Sequence, residues 1–111
     1  MLTRTIENGA LVPLFWPIEV ANALLFAMRA RRVTFGEREA AFDQLARLQI
    51  SADGLTIEKA WNDTTALADR FRLTIYDASY LELAARHNLP LATLDKDLRA
   101  AARKLGVELL G

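Results

Sequence analysis

Leu73-Thr74-Ile75-Tyr76-Asp77-Ala78-Ser79-Tyr80-Leu81-Glu82-Leu83-Ala84, followed shortly by Pro90-Leu91-Ala92-Thr93-Leu94-Asp95-Lys96-Asp97-Leu98, decides how this chain is read. The first segment reads as a helix that opens on an acid. The second reads as a short, wholly apolar strand that runs directly into two more acids. Acids are thereby placed at one end of neighbouring elements, where a divalent cation could be held. An earlier acid, Glu19 in Trp16-Pro17-Ile18-Glu19-Val20-Ala21-Asn22-Ala23-Leu24, could join them.

The rest of the chain repeats this alternation. Residues 10–15 form a brief apolar run between Gly9 and Pro17 and predict a buried strand. Before them, Asn8-Gly9 marks a turn after a short helical start. Pro17 suits the first turn of a helix, where its missing N–H costs nothing. Val20, Ala23, Leu24, Ala27 and Met28 carry that helix's apolar spacing, and Arg29, Arg31 and Arg32 close it. Thr34 with Glu37 is a capping-box signature for a helix over 35–48, with Ala41, Phe42, Leu45, Ala46 and Leu48 as its stripe. Residues 50–55 predict a short strand weakened by Asp53-Gly54. Thr56 caps a helix through Ala60, Trp61, Thr64, Leu67, Ala68 and Phe71. Thr74 with Asp77 is a second cap-like pair, opening a helix that runs to His87. A last helix, 95–105, stops at Gly106, and 107–110 form a final strand. Uniformly apolar strands alternating with helices predict an α/β domain with a parallel sheet covered on both faces. Ligands of such sheets bind beyond the carboxyl ends of the strands.

Composition narrows the chemistry. A length of 111 residues with 52% apolar side chains suits one domain with a real core. There is no cysteine, so disulfides and thiolate metal sites are excluded. That absence fits a reducing cytoplasm. Fourteen basic side chains balance fourteen acidic ones, so any nucleic-acid argument must come from local patches. Apolar runs fall far short of the roughly 20 residues needed to span a bilayer. Clustered carboxylates without His or Cys suit a hard cation such as Mg²⁺, which takes oxygen ligands and keeps several waters. Each acid also has a plainer use. Glu19 and Asp97 suit helix first turns, Asp77 could pair with Thr74, and Asp95 could be an N-cap. His87 reads as a solvated cation at a helix end, and Trp16, Trp61 and Phe71 as core aromatics. Lys96, Arg99, Arg103 and Lys104 read as a solvated helix face.

Three segments in order, Pro17 to Leu24, Thr74 to Ala84 and Leu91 to Leu98, resemble the PIN domain, specifically the VapC-type ribonuclease toxins of toxin–antitoxin pairs. Each motif alone is modest; their order and spacing are the specific feature, and the likeness runs from about Asn8 to Gly111. The resemblance implies a metal-dependent endoribonuclease with Glu19, Asp77 and Asp95 as catalytic ligands of Mg²⁺ or Mn²⁺. It places Asp97 as a neighbouring ligand and Thr93 as the hydroxyl residue of the last motif. Arg29, Arg31, Arg32, Lys96 and Arg99 become candidates for holding RNA phosphates. A VapB-type antitoxin and a second copy of the chain are the implied partners, in the cytoplasm and away from membranes.

One element of that family has no counterpart. PIN domains of this type open with a central strand ending in Asp, followed by Ser or Thr. The acid nearest the start here is Glu7, beside Asn8-Gly9. The expectation is therefore a single, N-terminally incomplete domain over 1–111, short by roughly thirty residues. Its first central strand would be missing and its catalysis impaired. The open sheet edge would seek a partner. The alternative is a non-catalytic binding module on the same scaffold, which self-associates or holds an antitoxin.

Overall fold

A computed structural model describes residues 2–4 and 10–111, with side chains from Ala10 onward. It is an α/β structure that divides into two compact units, Met1–Leu14 with Ile50–Gly111, and Phe15–Gln49.

The larger unit holds a four-stranded sheet. Its strands are β1 (Leu2–Arg4), β2 (Ala10–Pro13), β3 (Ile50–Asp53) and β4 (Leu91–Ala92), in the order β3-β2-β1-β4. β2 and β3 pair in parallel, Ala10 with Ile50 through Pro13 with Asp53. β1 runs antiparallel to both of its neighbours, Thr3 facing Leu11 on one side and Leu91 on the other. β2, β3 and β4 therefore share one direction. Two expectations change here. The amino-terminal segment is a strand over Leu2–Arg4 and not a helix, and it occupies the interior position that the sequence left open. Its direction has a simple cause. Residues 5–9 separate β1 from β2, enough for antiparallel neighbours, whereas parallel neighbours need a crossover of about a dozen residues or more. The Asn8-Gly9 turn lies outside the described residues. The predicted strand over 107–110 is reduced to one parallel bridge, Leu91 to Leu109, closed by Leu91 N–H donating to the Glu108 carbonyl and Leu110 N–H to the Leu91 carbonyl.

The centre of this unit is a helix, α5 (Ile75–His87), in which every residue from Ala78 to Ala84 is buried. A helix apolar on nearly all sides is a core element, and α5 packs on β1, β2 and β4. Tyr80, Leu81 and Leu83 join Leu91, Leu98 and Val12 as the largest fully buried side chains. Thr74 starts α5 by accepting the Asp77 N–H, and Asn88 ends it in the left-handed region at φ 53°, with Leu89 N–H returning to the Ala84 carbonyl. α6 (Lys96–Leu105) starts on Asp95, which accepts the Leu98 N–H, and ends on Gly106 at φ 83°.

Between β3 and α5 the chain forms α3 (Thr56–Lys59), a π turn (Ala60–Thr64) and α4 (Thr65–Phe71). Thr56 is not the cap: Leu55 holds that position, and the Thr56 hydroxyl donates to Asp53 while accepting the Leu14 N–H. The wide turn also rephases the helix. Thr56, Thr64 and Ala68 face inward, while Trp61 is 91% exposed rather than a core aromatic. Trp16 is buried as expected and Phe71 half-buried.

The smaller unit is a pair of helices, α1 (Trp16–Arg29) and α2 (Phe35–Ala46), packed on each other. The capping box is present in full: Thr34 Oγ1 accepts the Glu37 N–H, and the Glu37 carboxylate accepts the Thr34 N–H. Trp16 is the buried residue of α1, and α2 buries none. Their apolar stripes remain half-exposed, with Ile18, Phe26 and Phe35 largely open. Among the described residues no helix is long and apolar enough to cross a membrane.

Candidate functional site

Asp95 lies three residues past the end of β4. Its Oδ2 accepts the Leu98 N–H at 2.8 Å, which makes it the N-cap of α6. A carboxylate has about four lone-pair positions, so this bond leaves Oδ1 for another partner, and capping and metal ligation are compatible in one side chain. Thr93, buried at the end of β4, accepts the Asp95 N–H through Oγ1 at 3.1 Å. The Thr93 carbonyl in turn accepts Arg99 Nη1 at 2.9 Å. The turn that carries Asp95 is thus pinned from both sides. Asp97 is exposed in the first turn of α6, where its charge also favours the helix dipole.

Asp77 is half-buried in the first turn of α5. α5 packs on α6, and both helices finish at one cavity of about 440 Å³ lined by Ala84, Asn88, Leu89, Leu105, Gly106 and Glu108. Their first turns, with Asp77 in one and Asp95 and Asp97 in the other, therefore lie away from that shared end. Glu19 is half-buried in the first turn of α1, in the smaller unit. Among the described residues no three His, Asp or Glu side chains are grouped as a metal centre. The donor chemistry nevertheless suits a hard cation, since every candidate offers carboxylate oxygen.

The basic candidates differ in availability. Arg29, Arg31, Arg32 and Lys96 are exposed. Arg99 is not a free solvated side chain: Nη1 binds the Thr93 carbonyl and Nη2 the Gly111 carbonyl, each at 2.9 Å. It braces the Asp95 turn.

The strongest electrostatic feature escaped the sequence reading. Asp53, ending β3, is 5% exposed. The Arg86 guanidinium clasps both its oxygens, Nη1 to Oδ1 at 3.1 Å and Nη2 to Oδ2, and also binds both oxygens of Glu82 at 2.8 and 2.9 Å. Burial alone would raise the Asp53 carboxyl. The Arg86 hydrogen bonds and charge, with the Leu55 N–H and the Thr56 hydroxyl, outweigh it and hold the group below the usual carboxylate range. Arg86, bonded to Glu82 and Asp53, is held even more firmly protonated than usual. His87 stands against this cluster, its Nε2 3.0 Å from Arg86 Nη1 and 3.7 Å from Asp53 Oδ1. A signal was present: Glu82 interrupts an otherwise apolar run and meets Arg86 four residues on. Its third member, Asp53, lies 33 residues away and could not be paired by spacing.

The family model described as PIN domain matches residues 4–104, which takes in all three acidic segments, the smaller unit and most of the larger one. No curated protein and no solved structure matches the chain.

Proposed function

Because the chain belongs to the PIN domain family, whose members are nucleases that generally bind RNA and typically depend on a divalent metal, we propose that it is a metal-dependent endoribonuclease. The observation that carries this reading is the family match across residues 4–104. In this reading Glu19, Asp77 and Asp95 hold Mg²⁺ or Mn²⁺, with Asp97 beside them. Bound metal would supply an activated water and charge neutralisation at the phosphodiester. The chain's own residues do the positioning. Thr93 and Arg99 hold the Asp95 turn, the Asp95 cap directs one oxygen into α6, and the other is left for the metal. Arg29, Arg31, Arg32 and Lys96, all exposed, would meet flanking phosphates, which orient RNA without reading its sequence.

The finer assignment is a VapC-type toxin, with a VapB-type antitoxin and a second copy of the chain as partners, acting in the cytoplasm. It rests on the three ordered motifs and on the exposed apolar side chains of α1 and α2. The second reading is a non-catalytic binding module on the same scaffold, which self-associates or holds an antitoxin.

The experiment is cleavage of an unstructured RNA with Mg²⁺ or Mn²⁺. The nuclease reading expects cleavage that EDTA abolishes and that Asp95→Asn removes while leaving the melting temperature unchanged, since Asn also caps well. RNA binding without cleavage, unaltered by Asp95→Asn, would establish the binding module instead.

A further inference from the structure

Each of the three co-directional strands is followed within two residues by an exposed leucine. Leu14 comes after β2, Leu55 after β3 and Leu94 after β4, with exposures of 47%, 40% and 95%. The register sets them at one height. Leu11 faces Thr3, and Thr3 faces Leu91, so Val12, Ala52 and Ala92 share a level across the sheet. Leu14 and Leu94 stand two residues past that level and Leu55 three. Three strand spacings separate β3 from β4, so the row spans roughly 14 Å of the carboxyl edge.

Folding does not account for Leu94. The Thr93-Leu94-Asp95 turn is pinned by the Asp95 N–H to Thr93 Oγ1 bond and by Arg99 on the Thr93 carbonyl. A rigid turn thus presents an almost bare aliphatic side chain between two candidate site residues. Scattered surface leucines need no explanation, but a row along a ligand edge does. The occupant follows from chemistry. RNA offers phosphates and apolar base faces. Carboxylates on this edge repel bare phosphate, and the leucines are of no use to it. Unpaired bases can be splayed onto apolar side chains, whereas bases stacked inside a duplex cannot reach them.

We propose that Leu94, with Leu14 and Leu55 further along the same edge, packs against a nucleobase beside the scissile phosphodiester and thereby sets which unpaired nucleotides are accepted. This rests on the nuclease reading above.

The test compares the wild-type chain with Leu94→Ser and Leu94→Met on a short, unstructured, fluorescein-labelled RNA, and on the same RNA carrying an abasic nucleotide next to the cut. Leu94→Ser is expected to raise KM roughly fivefold with kcat unchanged, as loss of a partly buried aliphatic contact requires. Leu94→Met restores the wild-type value, and the melting temperatures agree because the side chain is exposed. The abasic RNA is bound more weakly by the wild type but no more weakly by Leu94→Ser, the non-additivity of a shared contact. An unchanged KM, or additive losses, overturns the proposal. If the wild type cleaves nothing, the nuclease reading fails by itself, and fluorescence anisotropy with the same RNA still decides. A fivefold affinity loss in Leu94→Ser supports the base contact, and equal affinities overturn it. Light scattering that shows Leu94→Ser dissociating a dimer also overturns it, since a second copy would then cover the row.

Discussion

At the scale of single residues, the Asp53–Arg86–Glu82 cluster sets the largest consequences. One guanidinium serves two buried carboxylates, so removing it takes away the hydrogen-bonded cation from both and leaves only His87 near Asp53. Arg86→Met is expected to cost about 3 kcal/mol or more at neutral pH, measured by urea denaturation. The pH dependence has a definite sign. The folded Asp53 carboxyl lies below its unfolded value, so the unfolded chain takes up the proton first as pH falls. The stabilisation is therefore complete above an ordinary Asp pKa of about 4 and is lost below it. In Arg86→Met the sign reverses. Burial without the cation raises the Asp53 carboxyl, and stability should recover partly as pH drops from 7 toward 5. A variant whose midpoint stayed flat over that interval would contradict the clasp. Asp95 separates two roles in the same way. Asp95→Ala should lose about 1 kcal/mol through the cap, and Asp95→Asn almost none. If Asp95 is a ligand, titration calorimetry with Mn²⁺ should show weakened binding in both.

Individual elements are governed by how they end. α1, α4, α5 and α6 each finish beside a left-handed residue: Arg31, Arg72, Asn88 and Gly106. In each case the following N–H returns to a carbonyl five residues back, Arg32 to Ala27, Leu73 to Ala68, Leu89 to Ala84 and Val107 to Ala102. That is the closure glycine favours, yet two of the four positions hold arginine, at φ 57°. Left-handed backbone costs an ordinary residue about 1 kcal/mol. Arg72→Gly is therefore expected to raise stability by about 0.5 kcal/mol after the extra unfolded-state entropy of glycine is deducted. Gly106→Ala should lower it by about 1 kcal/mol for the same reason, in a thermal melt. The π turn shows the converse. Its extra residue per turn places Thr64 inside and Trp61 outside, and the Thr65 hydroxyl bonds the Ala60 carbonyl at 2.6 Å.

On the scale of the whole molecule, the sheet depends on β1. Leu2–Arg4 is the bridge through which β2 and β4 belong to one sheet. The expectation of self-association through an open central edge loses that basis, because the interior position is filled. The proposed dimer then rests on exposed apolar side chains, those of α1 and α2 among them. Thr3→Pro removes a backbone donor from an interior strand, where proline is not accommodated. It should destabilise the larger unit by about 3 kcal/mol and speed amide exchange at Leu11, which faces Thr3. Exchange unaltered there, with unchanged stability, would show that β1 is not the bridge.

What the sequence determined alone is local. The Thr34 and Thr74 caps, the Asp95 cap, the Gly106 stop and the apolar run of α5 are all written within four or five residues, because helix periodicity and capping act over that range. The alternation of strand and helix, and the placing of Asp77, Thr93 and Asp95 at element ends, were legible for the same reason. Tertiary structure decided what depends on distant partners. The Leu14 N–H meets Thr56 across 42 residues and Arg86 meets Asp53 across 33. β1 takes its direction from strands on either side, and Trp61 turns outward once the neighbouring helix is rephased. Pairing, register and burial of charge are properties of surfaces brought together by folding, and no local spacing encodes them.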